Sequence, residues 1–167
     1  GNPYMIDLDT LKEEGLLTQE DIDKGYWGDS EFEIDYATIY WYRFDVLRVA
    51  FENFKKNCDR KPFTTFKRKN SKWLKNYALY MAVKKNFDMK AWTEWPDEEI
   101  KLREPEAIKK YERKFKDEID FWSFLQYKFY EQWEEFRKYV NDLGIKILGD
   151  MPIYVAMDSA DTWANPE

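Results

Sequence analysis

The chain has 167 residues, 44 % of them hydrophobic and 19 % aromatic, with a net charge of −6 and a pI near 5.0. That length is enough for one domain with a real core, and the acidity argues against a phosphate backbone or an anionic membrane surface as partner. With no His and a single Cys58, a Ser-His-Asp triad, His-ligated zinc and a disulfide framework are ruled out, no cofactor or metal is expected, and any chemistry falls to carboxylates.

The first residues, GNPYMIDLD, show no basic region followed by an apolar core, so no signal peptide is read there. No run of about 18 apolar residues is present to span a bilayer. The expectation is a cytoplasmic protein acting on a neutral substrate. Residues 1–34 read as irregular with short helical pieces. Asp7 through Gly15 looks like a capped turn ending at a glycine, and Thr18 through Asp21 resembles a capping box with Asp in its last position. Residues 35–57 read as the first long helix, with Ile39, Tyr42, Val46, Val49, Ala50 and Phe54 at helical spacing. Lys55 and Lys56 sit where a helix C-terminus favours cations. Pro62 marks a loop. Ser71 reads as the N-cap of a helix over 72–86, whose apolar set is Trp73, Leu74, Tyr77, Ala78, Met81 and Ala82.

Trp92 through Pro96 breaks that helix, because proline disfavours helix in the residue before it. Asp97 through Leu102 reads as a short helix, and Pro105 suits the first turn of the next. Residues 106–142 are one long helix, or two joined by a kink near 117–121. Gly144 ends this stretch in the C′ position. Residues 145–148, with Ile145, Ile147 and Leu148 apolar, read as a strand, and Gly149 and Asp150 follow it. After them come Pro152, Tyr154, Asp158, Ser159, Asp161, Trp163 and Asn165. An apolar strand, a glycine, a carboxylate and then a polar and aromatic loop is the pattern at the top of an α/β-barrel strand. Such a strand needs neighbours, since both of its edges carry unpaired backbone groups.

Three segments resemble the 4-α-glucanotransferase family, also called amylomaltases or disproportionating enzymes. The first is Gly1 through Leu8. The second is WLKNYALYMA, beginning at Trp73, with WTEWP beginning at Trp92. The third runs from Ile119-Asp120-Phe121 through Gln132-Trp133 into GIKILGDMPIYVA, beginning at Gly144, and DSADTWA, beginning at Asp158. The resemblance covers essentially the whole chain, is most specific in the third segment and least diagnostic over residues 15–70. It implies a cytoplasmic enzyme that moves stretches of α-1,4-linked glucose between glucans by a retaining double displacement. It also implies a (β/α)8 barrel with helical insertions. Members of the family are considerably longer, and their catalytic carboxylates lie on later barrel strands with no counterpart here. The expected fold is therefore mostly α: helical insertions plus one or two strands of an incomplete (β/α)8 TIM barrel. Residues 1–144 would be a mainly helical subdomain inserted in the barrel, and residues 145–167 the barrel strand with its first active-site loop, in one compact body.

No catalytic residue is assigned to this chain. Asp150 matches the family's first active-site motif at the carboxyl end of a barrel strand; the alternative is a capping or salt-bridging Asp. Asp158 either accepts hydrogen bonds from sugar hydroxyls or caps the turn at Ser159. Tyr154 and Trp163 either stack on sugar or pack beneath the loop, and packing is the commoner fate of a large ring. Tyr40, with Tyr36 and Trp41, offers an outlying glucan site, whereas Trp41 itself reads as helix core. Glu94 and Glu98 read as solvated, and the Trp92 and Trp95 pair as structural. The expected partners are α-1,4-glucans and malto-oligosaccharides, with no nucleic acid, no membrane, and self-association through apolar surface that a barrel would cover. A second reading is a non-catalytic helical carbohydrate-binding or interaction module, and a third a hydrolase of the same barrel type.

Overall fold

The computed structural model of the chain describes residues 1–30, 32–150 and 153–166. Among them regular structure is helical: α1 (Leu8–Glu13), α2 (Gln19–Asp23), α3 (Tyr36–Asn57), α4 (Lys61–Lys69), α5 (Ser71–Asn86), α6 (Glu98–Lys101), α7 (Pro105–Lys114), α8 (Lys116–Asp142) and α9 (Ala160–Ala164). Short 3-10 turns form at Pro3–Met5 and Trp92–Glu94. None of these helices is long and apolar enough to cross a membrane.

Local chemistry accounts for most boundaries. The Thr18 capping box forms: the Asp21 N–H donates to the Thr18 hydroxyl at 3.2 Å and the Thr18 N–H to the Asp21 carboxylate at 2.9 Å. Asp35 and Asp97 cap α3 and α6 through their side chains. At the end of α8, Gly144 takes φ +77°. Its N–H then reaches Asn141 O at 2.9 Å while the Ile145 N–H reaches Val140 O at 3.2 Å, a Schellman closure.

Four expectations about the elements and their bounds need correction. Pro62 does not mark a loop: it is the second residue of α4, where the missing N–H costs nothing, and Asp59 accepts from the Lys61 N–H at 2.9 Å. Ser71 is the first helical residue of α5, with Asn70 in the cap position and no side-chain cap bond. The break in residues 106–142 falls at Phe115, ahead of the expected kink. The strand over residues 145–148 is not formed, because no second strand exists among the described residues to complete its ladder. Ile145 is 56 % exposed and Leu148 98 %.

The chain's contacts group it into two compact units, Gly1–Phe63 with Phe124–Glu135, and Thr64–Ser123 with Phe136–Glu167. Unit 1 is sealed by rings: Phe124 lies 5.0 Å from Phe54 and 5.3 Å from Phe51, and Phe63 lies 5.6 Å from Tyr127. The buried face of α3 is Val46, Leu47, Ala50, Phe51 and Phe54. It begins later than the periodicity suggests and is rotated toward Leu47 and Phe51, which leaves Tyr42 and Val49 exposed and Trp41 70 % exposed rather than in the core. Gln132 ties in the first residues by accepting from the Asp7 N–H at 2.7 Å and donating to Asp7 O at 3.0 Å. Unit 2 is built on Leu79, Tyr80, Val83, Trp95, Ile100, Ala107, Tyr111 and Trp163.

The Phe124→Ala substitution is expected to lower stability by about 3–5 kcal/mol in urea denaturation, the usual cost of emptying a buried ring site. Trp41→Ala is expected to change stability by less than about 0.5 kcal/mol. Equal effects would contradict the assignment of Phe124 to the core and Trp41 to the surface.

Candidate functional site

The C-terminal segment is built in two parts. Residues 153–157 form an exposed arm in which Ile153 is 88 % and Tyr154 87 % exposed. Beyond it the short helix α9 begins, capped by Ser159, whose Oγ accepts from the Thr162 N–H at 3.3 Å. The Thr162 hydroxyl donates back to Met157 O at 2.5 Å, closing the turn that carries Asp158.

Asp158 is the focus of this segment. Its Oδ1 accepts from the Tyr80 hydroxyl at 2.5 Å and from the Trp92 backbone N–H at 3.3 Å, and its Oδ2 accepts from Lys84 Nζ. Tyr80 and Lys84 stand one turn apart on α5, so a single helix face presents a hydroxyl and an ammonium to one carboxylate. The Trp92 indole donates to Met157 O at 2.8 Å. Burial alone pushes the Asp158 carboxyl up, but the bonds from Lys84 and Tyr80 outweigh it and hold the group below its ordinary 3.8. Tyr80 shifts the other way: burial first, then the bond to Asp158, raise its hydroxyl. At neutral pH the pair is thus a phenol donating to a carboxylate. Oδ1 spends its two lone pairs on Tyr80 and Trp92, while Oδ2 keeps one beside Lys84.

Trp163 takes the packing alternative. It is 1 % exposed, its indole donates to Ile100 O at 3.2 Å, and its ring lies 5.5 Å from Trp95 and 5.8 Å from Tyr80. The Arg103 guanidinium covers it at 4.3 Å. No face of this indole is open to a sugar in this chain. Trp95 is likewise buried, and its indole donates to Lys90 O at 3.2 Å. Asp150 is exposed on irregular backbone. Pro152 of the expected loop, and Glu167, lie outside the described residues. In unit 1, Tyr40 is half-buried, 4.9 Å from Phe44 and 5.3 Å from Trp41. Among the described residues no group of three His, Cys, Asp or Glu side chains is placed to hold a metal ion.

Neither Tyr80, which lies in the WLKNYALYMA segment, nor Lys84 is among the site residues expected from the sequence. The signal that reveals them is their i, i+4 spacing, which the apolar stripe through Met81 and Ala82 obscures.

Because folding holds the Asp158 carboxyl below its unfolded value, its contribution is complete above that value. It declines as pH falls through the folded value and is gone below it. The indole N–H resonance of Trp163 is therefore expected to stay unchanged from pH about 7 to about 5 and to shift in more acid solution. Asp158→Asn is expected to remove that step. A step that survives in the variant would assign it to another group.

A family model described as 4-alpha-glucanotransferase matches residues 1–167. The 4-alpha-glucanotransferase of Clostridium butyricum is 43 % identical over 167 residues, which are 100 % of this chain and 34 % of that protein. That of Streptococcus pneumoniae is 44 % identical over 166 residues, 99 % of this chain and 33 % of the relative. The solved amylomaltase from Streptococcus agalactiae in complex with acarbose superposes with a TM-score of 0.94 at 39 % identity, covering 99 % of this chain and 34 % of that one. The chain thus spans about a third of the length of the curated relatives it matches. With the family model running the whole of its length, this chain belongs to the 4-alpha-glucanotransferase family.

Proposed function

We propose that this chain serves a cytoplasmic 4-α-glucanotransferase, in which it forms one wall of the α-glucan site and carries none of the catalytic carboxylates. The observation that supports this most is the likeness to an acarbose-bound amylomaltase across the whole chain, C-terminal segment included. In this reading residues 145–148 gain their partner strands when an entire (β/α)8 barrel is assembled. Residues 1–144 are the helical part inserted in that barrel, and residues 145–167 supply its first active-site loop.

The reaction is a retaining double displacement. A carboxylate attacks the anomeric carbon while an acid protonates the leaving glucan oxygen. A hydroxyl of a second glucan then displaces the carboxylate and returns its proton to the conjugate base. The two carboxyl groups this needs lie about 5–5.5 Å apart. This chain's share is binding and orientation. Asp150, at the end of the strand, bears on the sugar nearest the cut. Tyr154, exposed on the arm, offers its ring to a pyranose face. Asp158 holds the arm against α5 and has an acceptor position on Oδ2 for a sugar hydroxyl. Trp163 contributes by packing under the loop. Tyr40, on α3, marks an outlying glucan contact.

With maltotriose as sole substrate, the 167-residue chain is expected to give no change in product chain lengths. Efficient disproportionation would overturn the claim that the catalytic groups lie elsewhere. The exposed Ile145, Leu148, Ile153 and Val155 are expected to make the chain associate as its concentration rises, read by sedimentation velocity. A concentration-independent monomer would count against a missing barrel surface.

A further inference from the structure

Unit 2 holds a pocket that the glucan reading does not use. It has a volume of about 510 Å³ and lies between α4, α5 and the junction of α7 with α8, within the size range of small-molecule sites. Its floor is aliphatic, from Leu74, Leu79 and Ile119. At its base, Ser123 is 3 % exposed, and its hydroxyl proton is spent on Ile119 O at 2.8 Å. Ser123 therefore meets a ligand as an acceptor.

The rim is cationic. Lys67, Arg68, Lys75 and Lys116 line it against two carboxylates, Glu112 and Asp120. Lys67 is matched by Asp120 at 2.7 Å. Among the described residues Arg68, Lys75 and Lys116 make no ion pair. A chain of net charge −6 therefore gathers four cations against two carboxylates around one concavity, an excess of two positive charges, which concentrates anions there. A phosphate group, with oxygens enough for several charge-assisted bonds, matches such a rim better than a single carboxylate does.

The lining also says what the rest of the ligand is. No aromatic residue lines the pocket, although the chain is 19 % aromatic. No ring is present there to stack a nucleobase or to grip a neutral glucan through its ring face. Aliphatic carbons below, the hydroxyls of Thr64 and Ser71 at the side, and the Glu112 carboxylate suit a small saturated body rich in hydroxyl groups. We propose that this pocket binds a phosphorylated monosaccharide, at a site separate from the glucan contacts of Asp150, Tyr154 and Asp158.

The test is calorimetric titration of the full chain at low ionic strength with glucose-6-phosphate, glucose and inorganic phosphate. Glucose-6-phosphate is expected to bind saturably at one site, more tightly than inorganic phosphate, and glucose to give no saturable heat. The Arg68→Gln/Lys75→Gln/Lys116→Gln variant changes exposed side chains only, so its melting temperature is expected to match that of the parent. Its affinity is expected to fall about tenfold or more, as follows from losing charge-assisted bonds. No saturable binding of glucose-6-phosphate would overturn the proposal. So would undiminished binding by the triple variant, or inorganic phosphate binding as tightly as the sugar phosphate.

Discussion

The indole of Trp163, sealed against α5 and Trp95, is the contact that holds the C-terminal segment in place. A buried ring of that size removes about 150–250 Å² from water, worth about 4–6 kcal/mol by area. The Asp158–Lys84 pair is smaller in energy. The carboxylate side chain is 39 % exposed, and ion pairs that reach solvent contribute about 0–1 kcal/mol. The indole therefore supplies the docking energy, while the carboxylate sets the register by meeting Tyr80, Lys84 and the Trp92 N–H at once. Even the backbone at Arg103 serves this contact. Its φ of +59° costs about 1–2 kcal/mol for a residue with a Cβ. In return its guanidinium lies over Trp163 and donates to Asn76 Oδ1 at 3.0 Å.

That anchor explains the contrast within the segment. After Asp158 the chain is capped and turned and buries Trp163; before it, residues 153–157 stand in solvent. An arm of this kind, with a fixed base and exposed Tyr154 and Ile153, is what a sugar-contacting loop requires: rigid support beneath and accessible groups above.

Much of the helical framework was legible because its signals are local. Thr18, Asp35, Asp97, Pro105 and Gly144 act on the backbone next to them, and the structure uses each as a cap or a first turn. The errors arise where a distant contact decides. Which stripe of α3 is buried depends on the rings of Phe124 and Tyr127, far along the chain. The apolar run at residues 145–148 has strand chemistry, but pairing needs a neighbour that no described residue supplies. Asp158 could be singled out as a carboxylate in the loop, yet its partners Tyr80 and Lys84 lie 78 and 74 residues away. No spacing within the C-terminal segment encodes them.

The central proposal is that Asp150, Tyr154 and Asp158 face an α-glucan. Titration of the isotope-labelled full chain with a long malto-oligosaccharide, followed by amide chemical shifts, tests it most directly. Saturable shifts are expected to concentrate at Asp150, Tyr154 and Asp158, with the Trp163 indole N–H still bonded in its core. A saturated titration whose shifts fall entirely outside residues 145–166, or one with no shifts at all, would contradict it.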